Sequence, residues 1–187
     1  MIIVFTGNGK GKTTAALGQA MRALGHGKRV LMIQFIKGDW ETGEQIFPEK
    51  FRIPASSFQI IPAGKGFVYP INIISEGAKI PDGETSFSIH QRAAQKSLSL
   101  VEEAVNPPAG GKNWDLIILD EINLAVNLKL IKAADVLKIL ESVSMDVILT
   151  GRDAPEVFID KADLVTEMKE LKHPFKKGEP ARIGMEF

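Results

Sequence analysis

A chain of 187 residues, 44% of them hydrophobic, is long enough to bury one full core and is expected to form a single domain over residues 1–187. Its 23 Lys plus Arg balance 23 Asp plus Glu, which removes the basic footprint of a nucleic-acid binder. No apolar run approaches the roughly 18 residues of a membrane-spanning helix, and the lack of any cysteine excludes disulfides, thiolate-held metals, iron–sulfur clusters and a cysteine nucleophile.

The sequence opens on Met1-Ile-Ile-Val-Phe5, with neither a basic segment nor a small-residue cleavage site, so a cytoplasmic protein is expected. Residues 2–5 predict a buried strand that runs into a glycine-rich turn. Residues 13–24 predict a helix with Ala16, Leu17, Ala20 and Leu24 inward, stopped by Gly25-His-Gly27. His26 at that stop reads as a partner of the helix dipole rather than a catalyst. Residues 29–35 and 57–61 predict the second and third strands.

The stretch 62–85, rich in Gly, Pro and Ile, has no lasting periodicity. Irregular connections longer than about 12–15 residues are uncommon in compact domains and are often functional, so composition alone marks this one out. Residues 86–105 predict a helix with Phe87, Ala94, Leu98, Val101 and Val105 on one face, and Ser88 with Gln91 as a capping box. Pro107-Pro-Ala-Gly-Gly111 ends it. Residues 115–119 predict a strand, 129–141 a helix with Leu130, Ala133, Leu137 and Leu140 inward, and 145–150 the last strand, closed by Gly151. Strands alternating with helices imply a mostly parallel sheet covered on both faces.

The motif Thr6-Gly-Asn-Gly-Lys-Gly-Lys-Thr-Thr14 sits between a strand and a helix, the context of a P-loop. Gly7, Gly9 and Gly11 free the backbone to turn N–H groups inward, and the helix N-terminus adds its dipole. Lys12 would reach phosphate oxygens and the Thr13 hydroxyl would ligate Mg²⁺, with Thr6, Asn8, Lys10 and Thr14 completing an ATP triphosphate cradle. The usual motif begins with Gly, where this chain has Thr6. The expected fold is therefore α/β, a three-layer P-loop (RecA-like) arrangement with helices flanking the sheet.

Leu116-Ile-Ile-Leu-Asp-Glu121 places two carboxylates at a strand's C-terminal tip, where α/β sheets bind ligands. Asp120 would hold Mg²⁺, or the similarly hard Mn²⁺, directly or through water, and Glu121 would ligate the metal or orient a reacting group. Arg152, in Thr150-Gly-Arg152, reads equally as a phosphate-neutralising cation or a surface arginine.

Together these residues resemble the ATP:corrinoid adenosyltransferases. The resemblance rests on the P-loop with Asn8, on Gly25-His-Gly-Lys28, and on Gln34-Phe-Ile-Lys-Gly38 with Gly43-Glu44. It continues through Leu119-Asp-Glu121, Thr150-Gly-Arg152 and the ending Lys172-His-Pro-Phe with Gly178, Ala181 and Gly184-Met-Glu-Phe187. The resemblance implies transfer of the 5′-deoxyadenosyl group of ATP to the cobalt of a reduced corrinoid, with release of triphosphate. It implies triphosphate binding by residues 7–14, Mg²⁺ held by Thr13 and Glu121 with Asp120 in support, and a homodimer.

Cob(I)alamin is the nucleophile in that family, so no protein nucleophile is needed. The cobalt must be reduced, and this chain carries neither cysteine nor a dinucleotide fingerprint, so a separate electron donor such as a flavoprotein is implied. Members often carry an N-terminal extension that helps cover the active site, whereas this sequence opens on the first strand. They also place a Phe and a Trp two residues apart in the corrinoid-side loop; the nearest pattern here is Gly66-Phe-Val-Tyr69, which makes Phe67 and Tyr69 the corrinoid candidates. The competing readings are another P-loop enzyme, a small-molecule kinase or ATPase, and a non-catalytic nucleotide-binding regulator. No guanine-recognition motif is present to suggest a GTPase.

Overall fold

A computed structural model of the chain describes residues 1–38, 41–66, 86–111 and 113–185. In chain order the elements are β1 (Ile2–Thr6), α1 (Lys12–Gly25), β2 (Val30–Gln34), α2 (Gly43–Lys50), β3 (Phe58–Pro62) and α3 (Ser86–Val105). They continue with β4 (Leu116–Asp120), α4 (Ile122–Asn127), α5 (Ala133–Leu140), β5 (Asp146–Thr150), α6 (Glu156–Lys161) and β6 (Leu164–Glu167), followed by a 3-10 turn, Pro174–Lys177.

The strands form one parallel sheet in the order β3-β2-β4-β5-β1-β6. Its central strands read as unbroken apolar runs because both faces are covered. Alternation along each strand then sorts the side chains. Leu31, Ile33, Ile117, Leu119, Val147 and Leu149 face the layer built by α3, α5 and α6. Val30, Met32, Leu116, Ile118 and Ile148 face α1. On α1 the contact stripe is Ala16, Ala20 and Ala23, small residues that bring the helix axis close to the sheet. Each fully buried Val, Leu or Ile contributes about 1.5–3 kcal/mol of transfer free energy.

The α/β class, the parallel sheet and the flanking helices agree with the sequence reading, and so do the bounds of α3. Several details differ. β6 is a short edge strand whose residues are all exposed, so it lacks the buried apolar run that marks the other strands. α2 buries no residue and contains Pro48, and α4 has only six residues, too short for a periodic stripe. The helix expected from residue 129 begins at Ala133, because Lys129 takes a left-handed φ of 59° that a helix cannot contain. Leu130 and Ile131 are buried in the segment before it. Ser88 lies inside α3 rather than at its cap.

Of the stretch 62–85, the residues Ala63–Gly66 pack on the segment after β2. Ala63 and Gly64 donate to the Gln34 carbonyl and Gly66 to that of Ile36. A Cβ on Gly64 would meet the Ile36 carbonyl carbon at 2.4 Å, so the approach itself requires glycine. Phe67 and Tyr69 lie outside the described residues.

Candidate active site

At the end of β1 the chain enters the phosphate loop. Gly7 and Gly11 have φ of 95° and 123°, the region that favours glycine. Gly9 is needed for a different reason. Its N–H donates to the Met168 carbonyl at 2.7 Å, and a Cβ there would lie 2.8 Å from that oxygen and from the Lys169 carbonyl carbon. The loop is thus braced by the chain leaving β6. Lys12, the first residue of α1, is buried, and its ammonium donates to the carbonyls of Gly7 at 2.7 Å and Gly9 at 2.8 Å. Burial lowers its pKa, while the nearby Glu121 and Asp120 act in the opposite sense.

The second half of the site gathers at the ends of β2, β4 and β5. Asp120 is fully buried and receives three donors. Thr13 Oγ1 donates to its Oδ1 at 2.9 Å, Thr150 Oγ1 to the same oxygen at 2.7 Å, and Gln34 Nε2 to Oδ2 at 3.3 Å. Gln34 and Asp120 are register partners across β2 and β4, which is why they meet. Burial raises the Asp120 pKa and the three donors oppose the rise.

Glu121 follows in a left-handed conformation, φ 61°, between β4 and α4, its N–H donated to Thr150 Oγ1 at 3.0 Å. Its Oε2 is a buried acceptor with no partner among the described residues. Burial first, and the Asp120 charge second, raise its pKa to about 7, with Lys12, Arg152 and Lys37 pulling the other way. A third layer holds the β2–α2 side. Lys37 pairs with Glu44 at 2.6 Å, Glu44 accepts from Gln34 at 3.2 Å, and Gln45 donates to Gln34 at 2.9 Å. Burial alone would raise the Glu44 carboxyl, yet the Lys37 hydrogen bond and charge, together with a backbone hydrogen bond, outweigh it and leave that group below its ordinary range.

All of this opens on a cavity of about 850 Å³. Residues 8–14, Lys37, Glu44, Glu121 and Arg152 make its polar side. Leu17, Met21, Leu24, Phe47, Ile53 and Phe58 make an apolar side, and His173, Gly184 and Met185 of the C-terminal segment close its rim. A phosphate cradle with a carboxylate facing it, continuous with an apolar hollow, suits a nucleotide triphosphate beside a bulky organic substrate. The sequence matches, over residues 1–187, the family described as ATP:corrinoid adenosyltransferase BtuR/CobO/CobP. The chain belongs to this family.

Three relatives of the ATP:corrinoid adenosyltransferase family show the extent of the likeness. The corrinoid adenosyltransferase of Sinorhizobium sp. is 36% identical, over 100% of this chain and 80% of that protein. That of Escherichia coli (strain K12) is 33% identical, over 100% of this chain and 85% of its own length. Corrinoid adenosyltransferase CobA of Salmonella typhimurium (strain LT2) matches at 33%, with the same two coverages, 100% and 85%. As a member of the family this chain is a transferase, and the kinase, ATPase and regulator readings find no support in these likenesses.

Of the residues expected in the adenosyltransferase site, residues 8–14, Glu121 and Arg152 do border the cavity. Three stand behind it. The Thr6 hydroxyl accepts the Ala154 N–H at 3.0 Å, the Gly7 carbonyl holds Lys12, and Asp120 lies beneath Thr13. Thr150, Lys37 and Glu44 were not singled out by residue chemistry, although each lies within a motif that carries the family resemblance. For Thr150 and Lys37 the signal was position, at or just past the C-terminal end of a strand, whereas Glu44 lies in the first turn of α2. The apolar wall had none: Met21 falls within the helix predicted over residues 13–24, and no element was predicted around Phe47.

Proposed function

We propose that the triphosphate of ATP lies in the 7–14 cradle and that a Co(I) corrinoid, entering over the apolar side, attacks the ribose 5′-carbon. The cobalt–carbon bond forms with the cobalt electron pair, the C5′–O bond breaks, and triphosphate leaves with that bond's electrons. The observation that carries this reading is the convergence of Lys12, Thr13, Glu121 and Arg152 on the polar side of one cavity whose other side is apolar.

Lys12 and Arg152 meet the charge of the leaving group, and the inward N–H groups of the loop hold its oxygens. Thr13 spends its proton on Asp120, which leaves its lone pairs toward the cavity. The unpartnered Glu121 oxygen supplies a second hard donor, so these residues fit Mg²⁺ or Mn²⁺, with Asp120 in support. Among the described residues no three acidic or histidine side chains group into a ready-made cage, which suits an ion held largely through phosphate and water. When bound there, the ion would neutralise charge on the departing triphosphate.

We read residues 1–187 as one domain devoted to this reaction, acting as a cytoplasmic homodimer supplied with electrons by a separate donor such as a flavoprotein. Among the described residues no helix is long and apolar enough to cross a membrane. Phe67 and Tyr69 are assigned to the lower face of the corrinoid, where an aromatic wedge would keep water off the cobalt and ease its reduction. On that assignment Phe67→Ala keeps its activity with prereduced corrinoid and loses it with Co(II) and a weak reductant; equal losses in both assays would count against it.

The reading as a whole is tested by incubating the protein with MgATP and chemically reduced corrinoid. Inorganic triphosphate and a light-sensitive cobalt–carbon product are expected in equal amounts. Stoichiometric ADP would overturn it in favour of a kinase or ATPase.

A further inference from the structure

The turn that carries Arg152 is held more firmly than an exposed turn requires. It follows β5, which lies between β4 and β1 in the sheet, so α4 flanks it on one side and the end of β1 on the other. From α4, Asn123 Nδ2 donates to the Gly151 carbonyl at 3.1 Å. One helical turn later Asn127 Nδ2 reaches the carbonyl of Arg152 at 3.4 Å and closely contacts that of Asp153. From the β1 side, Thr6 Oγ1 accepts the Ala154 N–H at 3.0 Å, and Gly151 N–H donates to Phe5 at 3.2 Å. Every residue from Gly151 to Ala154 is therefore gripped through its backbone.

The turn needs that grip, since Gly151 and Asp153 have φ of 131° and 50°, and a non-glycine residue stays in this region only where its surroundings over-determine it. A Cβ on Gly151 would lie 3.0 Å from the Asn123 Cβ and from the Leu124 nitrogen, so the turn is also pressed against α4. Asn123 itself argues for a purpose other than stability. It is fully buried and its Oδ1 has no partner among the described residues, whereas an apolar residue there would bury no orphan acceptor. Thr6 is the position at which this phosphate loop departs from the usual glycine, and its hydroxyl points to this turn rather than into the cavity.

We propose that Thr6, Asn123 and Asn127 are positioning residues that clamp the Gly151–Ala154 turn and so hold Arg152 against the phosphate cradle. The inference rests on the reading above that Arg152 meets the triphosphate. The departure from the glycine motif then has a cause: a hydroxyl at the loop's first position ties the cradle to its distant arginine.

Calorimetric titration of inorganic triphosphate and of ATP into the full chain tests the clamp in a double-mutant design. Asn127→Ala, at an exposed site, and Thr6→Val should each weaken triphosphate binding about three- to tenfold, the effect of one ordinary hydrogen bond. Thr6→Ser, which keeps the hydroxyl, should bind like the parent. In an Arg152→Ala background neither change should cost anything further, a result that a merely structural role would not produce. Losses that add in full to that of Arg152→Ala, or unchanged affinity in Asn127→Ala, would overturn the clamp. So would parental affinity in Arg152→Ala, which would leave the clamp nothing to position, while adenosyl transfer is judged separately by its products. Should Thr6→Val fail to fold, the Asn127→Ala cycle decides alone.

Discussion

Thr150 donates its hydroxyl to Asp120 Oδ1 at 2.7 Å while accepting the N–H of Glu121 at 3.0 Å. One side chain on β5 thereby fixes both acids at the tip of β4. Asp120 is buried and acceptor-rich, so each donor it keeps matters more than at the surface.

Thr150→Val should accordingly destabilise the fold by about 1–3 kcal/mol, because the shape survives and one donor to a buried carboxylate is lost. Turnover should fall as well, since Glu121 loses its backbone anchor, and Thr150→Ser should restore both. Denaturant unfolding with parallel activity assays checks this; a Val variant as stable and active as the parent would show Asp120 to be sufficiently held by Thr13 and Gln34.

Lys12→Ala should leave the fold intact and cost at least about tenfold in activity, given the worth of a hydrogen bond to a charged group. The ammonium now spans the carbonyls of Gly7 and Gly9, so circular dichroism and melting should accompany the kinetics. Parental turnover in a folded variant would move the triphosphate elsewhere.

The Glu121 carboxyl gives a pH dependence of definite sign. Its pKa is about 7 when folded against an ordinary 4.5, so between those values the folded chain binds more protons than the unfolded one. Stability contributed by the protonated form is present below the window and is lost as pH rises through it. Glu121→Gln should remove this slope, so its stability relative to the parent should increase from pH about 5 to about 8. A metal ligand must be deprotonated, so Mn²⁺ affinity should climb over the same range in the parent and stay flat in Glu121→Gln. Parallel curves for the two proteins would remove Glu121 from both roles.

Gly9→Ala should weaken ATP binding by displacing the loop from Met168 and Lys169, which a Cβ would approach to 2.8 Å. Its φ is not positive, so backbone strain predicts little effect and the clash predicts a large one. Titration of ATP into the variant separates the two.

Much of this protein is readable from residue order. Strands buried on both faces must be apolar throughout, so β1, β2, β4 and β5 stand out, and the glycine–lysine loop after β1 announces a phosphate cradle. The carboxylates at the tip of β4 become candidates by the rule that ligands sit at the C-terminal ends of parallel strands, whereas Arg152 after β5 read equally as a surface arginine. These are local signals, each contained within one element and its following turn. The exposed edge strand β6 gives no such signal, yet the chain leaving it at Met168 and Lys169 decides why Gly9 must be glycine. That Asp120 stands behind Thr13 while Glu121 faces the cavity could not be read from adjacent letters, because it depends on a left-handed residue and on donors from β2, α1 and β5. The division of labour between these acids, and the grip of Thr6, Asn123 and Asn127 on Arg152's turn, come from hydrogen bonds between residues far apart in the chain. Periodicity reports which face of an element is buried; only the packed sheet determines which strand ends become neighbours.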